Sequence, residues 1–252
     1  MQNWKKRLRV SGIHLCISLC FATLAAALVF GLWYPFPYRE ISGGRELFFL
    51  VVAVDVVIGP LITLIIFNRT KPRRELLMDF ALVGLLQLAA LGYGLWTVFV
   101  ARPVHLVFEY SRMSVVHAIE VDAALLSKAP PGLQKLPLTG PTAIALRPFK
   151  NSVEEFESTT AALRGFALAA RSDLWQTYET AKGDVLKEAK PAANLYTRFP
   201  GRTVQIDQAV TATGRPVASL RYLPLLSRKM AWTVLLDANS AEPVGFLPLD
   251  SF

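Results

Sequence analysis

Three long apolar runs fill the first hundred residues, and beyond them the pattern changes to short alternating or amphipathic segments. The runs cover about residues 10–33, 47–67 and 76–100, each of the ~20-residue length that carries a helix across a bilayer. From residue 101 onward, alternation and β-forming residues predict strands at 103–108, 113–117, 142–147, 217–223, 232–236 and 244–248. The last two are predicted to pair through the turn Asp237-Ala238-Asn239-Ser240. Ser152-Val153-Glu154-Glu155 reads as a capping box opening a helix to about residue 170, and a second helix is predicted over 179–189, stopped by Pro191. The pattern therefore predicts a membrane protein, with three transmembrane α-helices in residues 1–100 followed by a small α+β extracytoplasmic domain in 101–252. About 150 residues suffice for a core of its own.

The first run follows Trp4-Lys5-Lys6-Arg7, a charged start that also describes a secretory signal, with Ala25-Ala26-Ala27 as a cleavage-like site. The run continues through Leu28-Val29-Phe30-Gly31-Leu32-Trp33, which is span length, so it predicts an uncleaved helix. Tyr34-Pro35-Phe36-Pro37-Tyr38 then supplies interfacial aromatics and helix-stopping prolines.

Charge sets the expected orientation. The chain carries a net +8, yet residues 101–252 hold 17 Lys+Arg against 14 Asp+Glu, so most of the excess lies before them. It is concentrated in Lys5-Lys6-Arg7-Arg9 and Arg69-Lys71-Arg73-Arg74, which fall on one side if the chain crosses three times. The positive-inside rule puts that side, and the amino terminus, in the cytoplasm and everything after Arg102 outside. The high pI is then topology and not a nucleic-acid surface. The only cysteines, Cys16 and Cys20, lie inside the first run, so the second half has no disulfide framework or zinc knuckle.

The second run keeps features that a plain anchor would not: Asp55 near mid-depth and a Gly59-Pro60 break. A carboxyl there costs roughly 2.5–3.5 kcal/mol on insertion scales, so it is expected to face a partner or a cavity. Pro60 withholds an N–H from the carbonyl of Val56. Gln87 in the third run falls at the depth of Asp55, which makes Asp55 and Gln87 a candidate polar pair within the bundle. His14, Thr63 and Asp79 fall near the inner surface, with His14 read as an interfacial polar residue. Gly84, Ala89-Ala90, Gly92 and Gly94 are small enough to admit a close neighbour.

No catalytic constellation is legible. There is no phosphate-cradling glycine loop, His-Glu-x-x-His or Gly-x-Ser-x-Gly. Asp55 and Asp79 are separated in depth by about 13 Å at ~1.5 Å per residue, too far to share a proton. His105 and His117 lack the carboxylate or cysteine spacing of a metal site. The sequence thus predicts a protein that is not an enzyme, with no catalytic, cofactor or metal residues and no nucleic acid among its partners. The different-class alternative is an extracytoplasmic sensor or a structural subunit of another envelope machine.

Several stretches resemble the type IV pilin accessory proteins (the TfpX/TfpZ type). They are Trp33-Tyr34-Pro35-x-Pro37-Tyr38; the run from Val54-Asp55 through Gly59-Pro60-Leu61-Ile62-Thr63 to Phe67-Asn68; Leu86-Gln87-Leu88 to Tyr93-Gly94; Ala101-Arg102-Pro103-Val104; Trp232 to Asp237; and Val244-Gly245 to Phe252. His105 stands where the pattern leads one to expect an aromatic. The resemblance implies a bacterial inner-membrane protein with a periplasmic C-terminal domain that helps a major type IV pilin be assembled into surface pili, and so supports twitching motility. Its implied partners are that pilin, inner-membrane pilus assembly components and membrane lipid. A partner-binding surface made by Asp55, Gly59, Pro60 and Thr63, meeting the pilin helix, is the candidate site.

Overall fold

A computed structural model describes residues 2–66 and 72–252. Its contacts divide the chain into two units: residues up to Arg39 with Gly43–Ala101, and Glu40–Ser42 with Arg102–Phe252.

Among the described residues, the first unit contains three helices long and apolar enough to cross a membrane. The first runs over Gln2–Leu28 and ends in a π-helical turn, Val29–Trp33. It begins earlier than the apolar run because Lys5, Lys6, Arg7 and Arg9 are good helix formers that continue the same turns. The second runs from Gly44 to Ile66, with a π-helical segment Val54–Ile58 in its middle. The third spans Arg73–Val100. Phe67, predicted as the end of the second span, and Asn68–Lys71 of the basic loop lie outside the described residues.

The helices lock together where the first ends, the second begins and the third ends. Ala25, Val29, Tyr34, Phe48 and Val98 form a buried cluster, with Phe30 edge-on to Phe48 at 4.9 Å and Trp33 beside Phe99 at 5.0 Å. Tyr34 donates its hydroxyl to the Val98 carbonyl at 3.1 Å. Of the small residues in the third helix, Gly94 is the one used for close approach, since a Cβ there would stand 2.6 Å from the Val51 side chain. Gly84 and Gly92 have open space around them.

The second unit is a mixed sheet with helices packed on it. Its strands are β1 (Pro103–Glu109), β2 (Arg112–His117), β3 (Thr142–Leu146), β4 (Trp175–Thr177), β5 (Lys190–Pro191), β6 (Leu220–Leu226), β7 (Ala231–Asp237) and β8 (Pro243–Leu247). They lie in the order β4-β3-β1-β2-β6-β7-β8, with β5 beside β6. The hairpins β1–β2 and β7–β8 are antiparallel, as their short turns require. The two parallel contacts are β1 with β3, and β2 with β6. The latter pairs only Met113 with Leu225 and Ser114 with Leu226.

Two cores result, one for each side of that junction. Val107, Val116, Ile144, Leu146, Leu174 and Trp175 belong to the first, and Leu195, Ile206, Leu220, Tyr222, Leu235 and Leu247 to the second. Helix Tyr178–Glu188 ties the sides together. It contacts β3 and β4, while the Tyr178 hydroxyl donates to the Ala241 carbonyl at 2.7 Å and Arg221 of β6 donates to the carbonyls of Leu186 and Ala189. Ser42 is buried here as well, its hydroxyl 3.2 Å from that of Ser227.

The helix predicted for 152–170 stops at Leu163. Gly165 takes φ +91°, and Gly165 and Phe166 return their N–H groups to the carbonyls of Ala162 and Ala161, a Schellman ending. Its N-cap is Asn151, one residue before the predicted serine, and Glu154 reaches back to the N–H of Lys150 at 2.7 Å. The strand predicted at 217–223 is shifted. Val217–Ser219 is a 3-10 turn, and β6 runs on through Pro224 to Leu226. Pro224 is tolerated because it falls between the stretches where β6 pairs with β5 and with β2. Helix Thr203–Ala212, which buries Ile206 and Ala209, was not predicted. Its threonines and valines are weak helix formers, and only packing against the second core settles it.

Candidate functional site

The polar residues of the membrane unit meet on the second helix. Asp55, Gly59 and Thr63 recur at four-residue spacing and so share a helical face. Asp55 and Thr63 are buried, at 8 % and 1 % exposure, and Gly59 and Pro60 are buried with them. The first helix supplies the covering groups from Ser11, His14 and Ser18. The Ser11 hydroxyl donates to the Pro60 carbonyl at 2.8 Å, and His14 Nδ1 lies 2.5 Å from Thr63 Oγ1. His14, read from sequence as an interfacial polar residue, is thus an interhelical partner as well. Ser11, His14 and Ser18 stand three and four residues apart, a polar stripe within an apolar run. That spacing was the readable signal for them, and the sequence reading missed it.

Gln87 comes across from the third helix. Its side-chain amide donates at 3.1 Å to the main-chain carbonyl of Asp55, not to the carboxyl. The π-helical segment explains the choice. In the α register Pro60 would leave the carbonyl of Val56 without a donor. In the widened register, where residue i accepts from i+5, the missing N–H falls on Asp55 instead. Gly59 makes room for the amide, because a Cβ there would collide with the Gln87 side chain. Gln87 is therefore brought to Asp55 through the main chain, where it mends the helix break and leaves the carboxyl out of the contact.

The candidate set is divided by this geometry. Gly59, Pro60 and Thr63 are occupied within the unit by Gln87, Ser11 and His14. Asp55 keeps one carboxyl oxygen out of these joints, for its Oδ1 is buried with no hydrogen-bond partner. It faces a hollow of about 190 Å³ whose walls include Ile17 and Phe21 of the first helix and Gly84, Leu88 and Leu91 of the third.

In the second unit the two histidines are structural in their contacts. His105 Nδ1 lies 2.9 Å from Thr142 Oγ1, with its ring edge-on to Trp175 at 4.7 Å. Burial pushes its pKa down to about 4, although hydrogen bonding with the Thr142 backbone works the other way. His117 and Glu120 cap a 3-10 turn, the carboxylate accepting from the His117 N–H at 2.8 Å. Burial alone would raise the Glu120 pKa, but the bonds from His117 and the charge of Arg228 outweigh it and hold it below its ordinary value. A hollow of about 440 Å³ lies beside the β2–β6 junction, lined in part by Ser114, Val116, Leu226 and Ser227. At its edge, Glu109 accepts from Arg112 at 3.0 and 3.2 Å and from Ser114 at 2.7 Å.

Comparison with known proteins adds the family. Residues 2–43 match the family model described as fimbrial assembly protein FimB. Over 233 residues the chain is 37 % identical to the fimbrial assembly protein of serogroup I from Dichelobacter nodosus, covering 92 % of this chain and 91 % of that one. The serogroup E1 protein of the same organism is 36 % identical over equal shares. The protein of serogroups C1 and C2 is 44 % identical over 108 residues, 43 % of this chain and 82 % of its own. No solved structure matches the chain. With relatives this similar along nearly its whole length, and with the blocks it shares with type IV pilin accessory proteins, the chain belongs to the fimbrial assembly protein family.

Proposed function

We propose that this chain is a non-catalytic accessory protein of the bacterial inner membrane that assists assembly of a major type IV pilin into surface pili by binding that pilin. The observation that carries the reading is the near full-length similarity to proteins named for fimbrial assembly. The three apolar helices support membrane insertion. The basic residues clustered around the amino-terminal ends of the first and third helices support a cytoplasmic amino terminus and a periplasmic second unit. That topology also puts the link between the first two helices on the side of the second unit, in keeping with the packing of Glu40–Ser42 there. A role in the assembly of retractile pili makes twitching motility its cellular readout.

The test is deletion of the coding sequence in a piliated host. Surface pilin sheared from the cells should fall while total pilin in the membrane is retained, and this chain should restore it. Normal surface pilin in the deletion strain would end the reading. Alkaline phosphatase fused after Phe252 should be active, and fused after Arg74 inactive; the reverse pattern would overturn the orientation.

A further inference from the structure

Among the described residues of the membrane unit, Asp55 carries a buried carboxyl oxygen that no hydrogen bond uses. The residue is 8 % exposed and its Oδ1 has no hydrogen-bond partner, while Pro60, Thr63 and Gln87 are engaged within the unit. The hollow it faces lies between the first and third helices, which both pack against the second. Most of the walls are apolar side chains, with His14, Ser18 and Gln87 among them, and the third helix contributes Gly84, around whose Cβ position nothing lies within 4 Å. At about 190 Å³ the space exceeds the ~150 Å³ of a cavity that takes a benzene-sized group.

A lipid acyl chain would fill such walls but has no hydrogen to offer a carboxyl. Backbone can run through hydrocarbon beside the groove only as a helix, because its own N–H and C=O groups must be satisfied internally. The occupant that answers both requirements is a transmembrane helix that lies along Gly84 and inserts one large or donor-bearing side chain toward Asp55. Small residues at helix contacts and side-chain hydrogen bonds are how helices associate in membranes.

We infer that the groove between the first and third helices, floored by Asp55 and walled by Ile17, Phe21, Gly84 and Leu88, is the seat for the apolar helix of the major pilin. The inference rests on the reading of this chain as a pilin-binding accessory protein. It moves the contact surface away from Gly59, Pro60 and Thr63, which serve the internal joints. The seated helix carries a hydrogen-bond donor (a hydroxyl, amide or ammonium) at the depth of Asp55.

The experiment places a photoreactive residue at Leu88, at Ile17, or at Leu86 on the opposite face of the third helix, in the full chain expressed in cells with its neighbouring pilin. All three positions are exposed in this unit. The result expected is a pilin adduct from 88 and 17 but not from 86. It should fall at least tenfold with Gly84→Leu, which fills open space, and with Asp55→Leu, while Asp55→Asn retains part of it. Immunoblots of the membrane fraction confirm that each variant accumulates as the parent does. Adducts only to lipid or to a second copy, or a pilin adduct that survives Gly84→Leu undiminished, would overturn the inference. If surface pilin still depends on the chain while no groove adduct forms, the seat is wrong and the function stands. If the deletion strain stays piliated, the function reading fails first.

Discussion

His105 shows what one residue can mean when its neighbours are distant in sequence. The family pattern leads one to expect an aromatic at this place, and the structure gives the position aromatic work, edge-on to Trp175. Its departure from that pattern has a price in acid. Burial lowers the folded pKa to about 4, below the ~6.5 of an unfolded histidine. Between those values the unfolded chain binds the extra proton, so stability is full above about pH 6.5 and declines as pH falls toward 4. His105→Phe should remove that decline, which amounts to roughly 2 kcal/mol at pH 5. Thermal unfolding of the full chain in detergent at pH 7 and pH 5 reads it, and an equal pH loss in parent and variant would refute the assignment. Thr142 is exposed, so water can replace the contact it loses. A second residue-scale expectation concerns Gly59→Ala. Displacing Gln87 leaves the Asp55 carbonyl unpaired and should cost about 1–3 kcal/mol, with little further loss when Gln87→Leu is added. Asp55, Gly59 and Gln87 could be singled out from sequence because a polar residue in an apolar run has to be answered. Which oxygen of Asp55 Gln87 would find was hidden, since a π-helical widening has no sequence signature of its own.

At the scale of elements, the signals that could be read were those with a local mechanism. The three apolar runs, the Pro35 and Pro191 stops and the hairpin β7–β8 all followed from chemistry within a few residues. Gly165 was a readable helix ending that the prediction to residue 170 passed over, because Leu168-Ala169-Ala170 continues the apolar spacing. It also makes a sharp test. Gly165→Ala forces a Cβ into φ +91° and should destabilise the chain by about 1 kcal/mol or more. Gly183→Ala, in the exposed middle of helix Tyr178–Glu188 with nothing near its Cβ, should stabilise by ~0.5–1 kcal/mol. Equal shifts in melting temperature from the two substitutions would contradict the assigned ending. Helix Thr203–Ala212 and strand β4 were beyond local reasoning, for each is held by a core drawn from residues far away in the chain.

On the scale of the whole molecule, sequence set the division between apolar helices and mixed sheet, while the order of the strands belonged to tertiary structure. The crossing from β2 to β6 joins residues more than a hundred positions apart, and no pattern announces it. Its shortness has a mechanical meaning. Two paired positions hold one half of the sheet to the other, against seven between β6 and β7, and a hydrogen bond contributes only ~0.5–1.5 kcal/mol net. Amide exchange in the full chain should therefore resolve β1–β3 and β6–β8 as separately protected blocks, with the amides around Ser114 and Leu226 opening more often than either. Tyr178→Phe, which cuts the tie to Ala241, should hasten that opening and leave the block interiors unchanged; one uniform protection level across the sheet would refute it. The hollow beside the junction is then the seam along which the sheet should part first: two paired positions and the Glu120–Arg228 ion pair, at 2.9 Å, hold its linings together there.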